Sequence, residues 1–428
     1  MKYYLIGIKG AGMCALALIL NDMGYEVLGS DVTEKIFIED SLKAKGIKIL
    51  PFSYLNLKED YHVIVGSAYY NNHEEYHRAK EMNLVVDEYS KFLGKLAKEF
   101  ISIAVTGTHG KTTTSKIIKS IFKNQKKITY LIGDGEGGYH TDSNHFIFEA
   151  CEYKEHFLNY HPDYAIITNI EYDHVDYFKT RESYNHAFEK FMKQVKNKVI
   201  IFGDGDYKVN KTDKIITYGL SEDNDVIAKN VKQSQEGFEF DLYIFNKYQA
   251  SYNLPFFGYH NLYNLLGGLA IAFLEGLDLN IIQKSLTTFE NAKRRFSIIE
   301  YKGQIIIDDY AHHHNEIEAS INAVKQKYPN REIVSIFQPH TYTRLQAFLE
   351  PLGVALNKSD IVYVCDVFAS VREDKPLIDS MSLVDICDNG HLLAEDSIKK
   401  LSEHKDAILL FMGAGDIYLR YMSKYLSS

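Results

Sequence analysis

The sequence predicts an α/β protein of three units in series: an amino-terminal Rossmann-like unit, a central unit with a P-loop ATPase-type sheet, and a carboxy-terminal Rossmann-like unit. Three observations predict it. Short apolar runs alternate with helically spaced segments along the whole chain, the pattern of parallel strands covered by helices. Two glycine-rich turns, at 7–12 and 107–110, each follow such a run and open a helical segment. The length, 428 residues, corresponds to about three domains at roughly 150 residues each.

Residues 3–7 read as a strand that runs into Gly7-Ile8-Lys9-Gly10-Ala11-Gly12, and the helical spacing over 13–23 closes on Gly24. Strands follow at 27–31, 61–66 and 84–86, and a charged helical stretch at 91–99 ends a first unit assigned to 1–97. The β-branched run 100–106 opens the second unit, 98–293. Its sheet continues at 145–149, 164–169 and 199–202. Residues 225–249 look like meandering strands, with Phe238, Phe240, Leu242 and Ile244 alternating with polar positions, and 261–275 is a helix. The third unit, 294–428, takes strands at 304–307, 332–337, 361–365 and 407–412, with a helix at 315–328.

Composition excludes several classes. Lys+Arg total 48 against 57 Asp+Glu, a formal charge of −9, so the basic stripe of a nucleic-acid binder is absent. No apolar run approaches the ~18 residues a membrane span needs. The amino terminus lacks the apolar core and cleavage site of a signal peptide. The four cysteines, Cys14, Cys151, Cys365 and Cys387, lie far apart with no CxxC pair, indicating neither a zinc module nor a disulfide framework. A cytoplasmic protein without nucleic-acid partners or membrane insertion is expected.

The strongest chemical signal is Gly107-Thr108-His109-Gly110-Lys111-Thr112-Thr113 at a strand-to-helix junction. Glycines let backbone N–H groups face phosphate oxygens, the helix start adds partial positive charge, Lys111 adds a full one, and the Thr112 hydroxyl suits Mg²⁺. The usual first glycine of such a loop falls here on Val105, so the loop is a short variant. A plain strand–turn–helix corner would explain the glycines but not the Gly-Lys-Thr run. Glu149 ends one following strand, and Asp173 and His174 lie just beyond another, on the edge where the loop sits. Mg²⁺ prefers oxygen, which makes His174 the less usual ligand.

The first glycine turn reads Gly-x-x-Gly-x-Gly, with Lys9 where a dinucleotide fingerprint wants glycine. It suits phosphates with Asp31 near a ribose or base, and supports NAD only weakly. His260-Asn261-x-x-Asn264 has two readings of equal weight, an adenine contact or a helix capped by Asn261. His312-His313-His314 resembles a metal site, yet adjacent side chains point different ways and rarely chelate one ion. Lys293-Arg294-Arg295 is either a solvated patch or a phosphate neutraliser.

Together, the phosphate loop, Glu149, residues 169–174 and His260-Asn261-x-x-Asn264 resemble the ATP domain of the Mur ligases, which add amino acids to the peptidoglycan precursor. The first glycine turn, Gly29-Ser30-Asp31, Lys293-Arg294-Arg295-Phe296, Asp308-Asp309-Tyr310-Ala311-His312-His313, Phe337-Gln338-Pro339-His340 and Gly413-Ala414-Gly415-Asp416 are similar to the alanine-adding branch of that family, in the same order from end to end. The resemblance implies ATP and Mg²⁺ as cofactors, UDP-N-acetylmuramate and L-alanine as substrates, an acyl-phosphate intermediate, and a monomer or weak homodimer. It implies Lys111, His174, His312 and Arg344 as catalytic residues. ATP would be held by Gly107, Thr108, His109, Gly110, Lys111, Thr112, Thr113, His260, Asn261, Asn264, Arg295 and Asp309. Gly10, Ala11, Gly12, Met13, Ser30, Asp31, Ser67, Tyr310, His312, His340 and Arg344 would hold the substrates. Thr112, Glu149 and His174 would hold the metal.

Two positions depart from the family pattern: His314 replaces a common proline and Thr341 a common arginine. The carbamylated lysine of several relatives falls at Phe188, and Lys190 lies two residues, roughly 200°, around the helix, so no carbamate is expected. Within the family, the alternative is the recycling ligase that attaches a tripeptide to the same sugar. Outside it stand an NAD-dependent oxidoreductase and a P-loop switch that hydrolyses ATP without making a bond.

Overall fold

Three sheets organise the chain, and each is built mainly from parallel strands with helical connections. The computed structural model describes residues 2–34, 38–369 and 378–427. The first sheet runs Lys48–Pro51, Glu26–Asp31, Lys2–Ile6, Tyr61–Val65, Val85–Glu88, all parallel. Its order reverses beside Lys2–Ile6, and such reversals open a crevice at the carboxyl ends of the strands.

The second sheet has ten strands, with Ile101–Thr106 between Tyr164–Ile167 and His145–Glu149. All three are parallel, so the residues following each of them gather on one edge. The meander resolves into Val226–Ser234, Gly237–Ile244 and Lys247–Leu254, paired antiparallel. The turn into its last strand places Phe245 and Asn246 at positive φ, 49° and 61°, the geometry of a two-residue hairpin.

The third sheet orders Ser297–Tyr301, Gln304–Asp309, Ile408–Met412, Ile333–Phe337, Ile361–Val364, Gly390–Leu392, antiparallel only at the first pair. Strands Lys48–Pro51, Ile128–Leu131, Ile215–Gly219, Ser297–Tyr301 and Gly390–Leu392 carry too short a pattern to be read from the sequence. The helix Leu279–Thr287 was likewise not expected.

The cores are shared unequally. Leu16, Leu93, Phe146, Phe148, Phe157 and Phe188 belong to one continuous apolar cluster that spans the first two units. Gly137 packs against the Ala15 carbonyl so closely that a Cβ there would sit 2.0 Å from its oxygen. The third unit has its own clusters, one around Ile307, Phe337 and Leu410 and one around Ile336, Phe411 and Tyr421. Among the described residues, no helix is long and apolar enough to cross a membrane.

Candidate active site

The phosphate loop lies where the sequence puts it, between strand Ile101–Thr106 and helix Lys111–Lys123. Gly107 (φ 132°) and Gly110 (φ 81°) both occupy backbone conformations that other residues avoid. A Cβ on Gly107 would lie 2.1 Å from Thr168 Oγ1, and one on Gly110 2.5 Å from Asn264 Oδ1. The His109 N–H donates to Asn169 Oδ1 (2.9 Å), and the Thr108 hydroxyl donates to the Glu171 carbonyl (2.7 Å). The loop is thus pinned to the segment after Tyr164–Ile167 and presents a helix amino terminus, an anion site by construction.

Thr112 Oγ1 donates to Glu149 Oε2 (3.1 Å), and the Gly133 N–H donates to Glu149 Oε1 (2.5 Å). Burial pushes the Glu149 carboxyl up, more than Gly133, Lys111 and Thr112 pull it down. A half-buried carboxylate whose charge burial disfavours, beside a hydroxyl, fits a hard divalent cation such as Mg²⁺.

Lys111 Nζ donates to the carbonyls of Gly107 (2.5 Å) and Thr108 (3.1 Å) and to both oxygens of Glu152 (3.2 and 3.0 Å). Glu152 is fully buried and was not singled out in the sequence. Its other neighbour is His174, whose Nε2 lies 3.2 Å from Glu152 Oε1. The sequence paired His174 with Glu149 at a metal. Here the turn after strand His145–Glu149 instead carries Glu152 beneath Lys111 and into the reach of His174. His174 sits at φ 53°, unusual for a non-glycine residue and frequent at functional sites.

A cavity of about 220 Å³ adjoins the loop, lined by Thr113, Asn261, Asn264, Arg295 and Asp309 among others, and His260 lies on its wall. Burial lowers the His260 imidazole to about 4, and its Nδ1 is buried without a hydrogen-bond partner. Helix Tyr259–Leu274 is capped by Gly258, not by Asn261, whose side chain donates to the Phe257 carbonyl (2.8 Å). The capping reading of Asn261 therefore fails, because the helix starts two residues earlier. Asp309 accepts from the N–H groups of Phe296 (3.0 Å) and Ala311 (2.8 Å), and burial pushes it up to about 6.

The third unit closes the cleft. Arg344 Nη2 lies 3.0 Å from both oxygens of Asp173, and Arg344 Nη1 lies 3.2 Å from His340 Nδ1. His312 Nδ1 lies 3.1 Å from Glu316 Oε2, and burial lowers this imidazole to about 3. The Tyr310 ring sits 5.2 Å from the Arg294 guanidinium and 5.0 Å from that of Arg295. Only His312 turns away, toward Glu316; the His313 and His314 rings lie 4.0 Å apart beside Phe348, against the divergence expected of adjacent side chains, and His313 also meets the His109 ring (4.7 Å). Thr341 stands at φ 64° and caps the helix Tyr342–Ala347 that carries Arg344.

In the first unit, Gly10 precedes helix Ala11–Asp22, with Ala11, Gly12 and Met13 in its first turn, and Ser67 follows strand Tyr61–Val65. The Lys9 N–H donates to Asp31 Oδ2 (2.6 Å), so Asp31 ties the turn from within. That occupation weighs against a dinucleotide ribose there. Ser30 does not face the crevice: it is fully buried and its hydroxyl donates to Glu75. Tyr89 connects the two sites. Its hydroxyl would lie 2.4 Å from a Cβ on Gly12, while burial, with Cys151 and Glu149 nearby, raises its phenol.

Comparison with known proteins gives three matches in series. Residues 2–101 match the Mur ligase family catalytic domain, 105–272 the Mur ligase middle domain, and 294–419 the Mur ligase glutamate ligase domain. The chain is similar to the UDP-N-acetylmuramate-alanine ligase MurC of Thermotoga maritima, at 28% identity and a TM-score of 0.80 over 100% of this chain and 99% of that one. A murein peptide ligase of Psychrobacter arcticus shares the fold at 20% identity and a TM-score of 0.69, over 100% and 98%. MurF ligase of Thermotoga maritima, solved in complex with ADP, does so at 19% and 0.66, over 94% of each chain.

Proposed function

The chain belongs to the Mur ligase family, and on that premise we propose that it joins L-alanine to the carboxylate of UDP-N-acetylmuramate at the expense of ATP. One observation carries the reading: Asp173 of the second unit and Arg344 of the third meet in a buried ion pair, within electrostatic reach of His109 of the phosphate loop and of His312, and with His340 3.2 Å from Arg344. A carboxylate is a poor acyl donor, so amide formation requires its activation, and transfer of the γ-phosphoryl group to form an acyl phosphate supplies a good leaving group.

The chain's own groups suit that sequence. Lys111 moves from the Glu152 carboxylate to the phosphate chain, and the loop N–H groups hold the remaining oxygens. Mg²⁺ at Thr112 and Glu149 would neutralise phosphate charge. His260, Asn261 and Asn264 take the adenine, and Asp309 and Arg295 the ribose and phosphate side. Gly10 to Met13 and Ser67 accept the UDP-sugar, and Tyr89 forms a wall shared with the reacting end. His312, held neutral by burial, His340 and Arg344 position the muramoyl carboxylate and the incoming amino acid.

The test is phosphate release by the purified protein with Mg·ATP, UDP-N-acetylmuramate and single amino acids. Release should need all three and be fastest with L-alanine. Preference for the tripeptide would identify the recycling ligase instead, and turnover without UDP-sugar would identify a nucleotide switch.

A further inference from the structure

Among the described residues, one group of histidine and carboxylate side chains has metal-ligand spacing outside the Thr112–Glu149 pair. It comprises His109 of the phosphate loop, Glu171 beyond strand Tyr164–Ile167, and His313 at the cap of helix His314–Lys327, with one ligand atom from each lying within 4.8 Å of the others. We propose that these three residues bind one divalent transition-metal ion of the zinc type.

The donors are prepared for it. His109 Nδ1 lies 3.2 Å from Glu316 Oε1, which accepts the Nδ1 proton, and a metal ion at Nε2 would displace the second proton that Glu316 and Glu171 favour on this ring. That Nε2 is buried without a hydrogen bond and lies 3.5 Å from Glu171 Oε2. A carboxylate behind an imidazole is the arrangement that orients metal-binding histidines and raises their basicity. His313 is 2% exposed, and its Nε2 also has no hydrogen-bond partner. An unsatisfied buried nitrogen is costly, and a metal ion satisfies it. The Asn315 amide donates to Glu171 and fixes the third donor.

Two imidazoles and one carboxylate suit zinc-type ions and not Mg²⁺, which demands oxygen and water. Tetrahedral coordination brings ligand atoms to about 3.3 Å, a contraction of an ångström or so that draws the loop toward the third unit. A cavity of about 680 Å³, lined by Glu171, His313 and His314, offers the entry path and a fourth position for water. The site is independent of the ligase reading, since it is judged by binding alone.

Full-length protein stripped with chelator is dialysed against Zn²⁺ and its metal content measured. One equivalent should be retained, and His313→Gln and Glu171→Gln should each weaken binding at least about tenfold. Cys151→Ser and Glu149→Gln should leave it within about twofold of the parent. Co²⁺ on the unmodified protein should give visible bands of tetrahedral nitrogen and oxygen ligation, which keeps the test decisive where a variant fails to fold. Absence of retained metal, affinity that survives both substitutions, loss in Cys151→Ser or Glu149→Gln, or a thiolate band in the cobalt spectrum would each overturn the proposal.

Discussion

Arg344 Nη2 stands 3.0 Å from both carboxylate oxygens of Asp173, with the two side chains 12% and 5% exposed. Burial pushes the Asp173 carboxyl up, but Arg344, followed by His174, His109 and His312, outweighs it and holds it well below the usual carboxylate range. A depressed carboxyl contributes stability that is fully present above its unfolded value of about 3.9 and is lost as pH falls toward the folded one. The urea midpoint of the parent should therefore exceed that of Asp173→Asn by a constant amount between about pH 5 and 8. The gap should close only in stronger acid. Ligation should fall at least about a hundredfold in the variant, because the cleft loses its cross-link. A gap that closes between pH 8 and 6 would refute the assignment.

Lys111→Ala should abolish ATP-dependent phosphate release while UDP-sugar affinity stays within about twofold. The same change leaves the fully buried Glu152 carboxyl with His174 and without its lysine, and removing one member of a buried pair costs about 3–5 kcal/mol. Adding Glu152→Gln should recover most of the lost denaturation midpoint and none of the turnover. Recovery of activity in the double variant would mean that Lys111 serves the fold and not the chemistry.

If His260 takes the adenine as proposed, His260→Ala should raise the KM for ATP about tenfold with kcat little changed, because the phosphates would keep their contacts. This imidazole is lowered to about 4 by burial, so it stays neutral when folded and protonates at about 6.5 when unfolded. The unfolded chain then binds more protons below neutrality, and stability falls as pH drops from 7 to 5. His260→Gln should remove up to about 2 kcal/mol of that decline by pH 5, read from urea midpoints at the two pH values. An unchanged slope would show that His260 is protonated in the fold.

Phe188 is fully buried, its ring 5.2 Å from Phe157, and Lys190 reaches outward to Glu155 at 3.3 Å. No lysine amine on this helix face enters the site, so activity should be the same in bicarbonate-free buffer and in buffer with added bicarbonate. Phe188→Lys should bury a charge in an aromatic cluster and destabilise the protein by more than about 3 kcal/mol, without creating bicarbonate dependence. Stimulation of the parent by bicarbonate would contradict the arrangement.

Local chemistry was legible in the sequence and tertiary meeting was not. Gly107, Gly110 and Lys111 were readable because a strand, a turn and a helix succeed one another there, and Glu149 because it ends an apolar run. Glu152 lies only three residues further, but its meaning depends on Lys111 and His174, which the fold brings from 41 and 22 positions away. Ser30 sits at the carboxyl end of a strand as a ligand-binding residue would, yet its hydroxyl is taken by Glu75 from a later helix. Strands such as Gly390–Leu392 owe their state to a neighbour's edge and leave no periodic trace.

The unequal division of the apolar cores has a mechanical consequence. Two lobes welded through common aromatic packing act as a fixed pedestal, whereas the remaining lobe rests on it through ion pairs and amide contacts such as Arg344 with Asp173 and Gln326 with the Ser234 carbonyl (3.0 Å). The joint between them carries Arg294 and Phe296 at φ 59° and 56°, a bent stretch just ahead of the strand Ser297–Tyr301. The third lobe is therefore joined to the pedestal through a single covalent bend. Any opening at this joint would part Arg344 from Asp173 and leave the packing shared by the first two lobes intact.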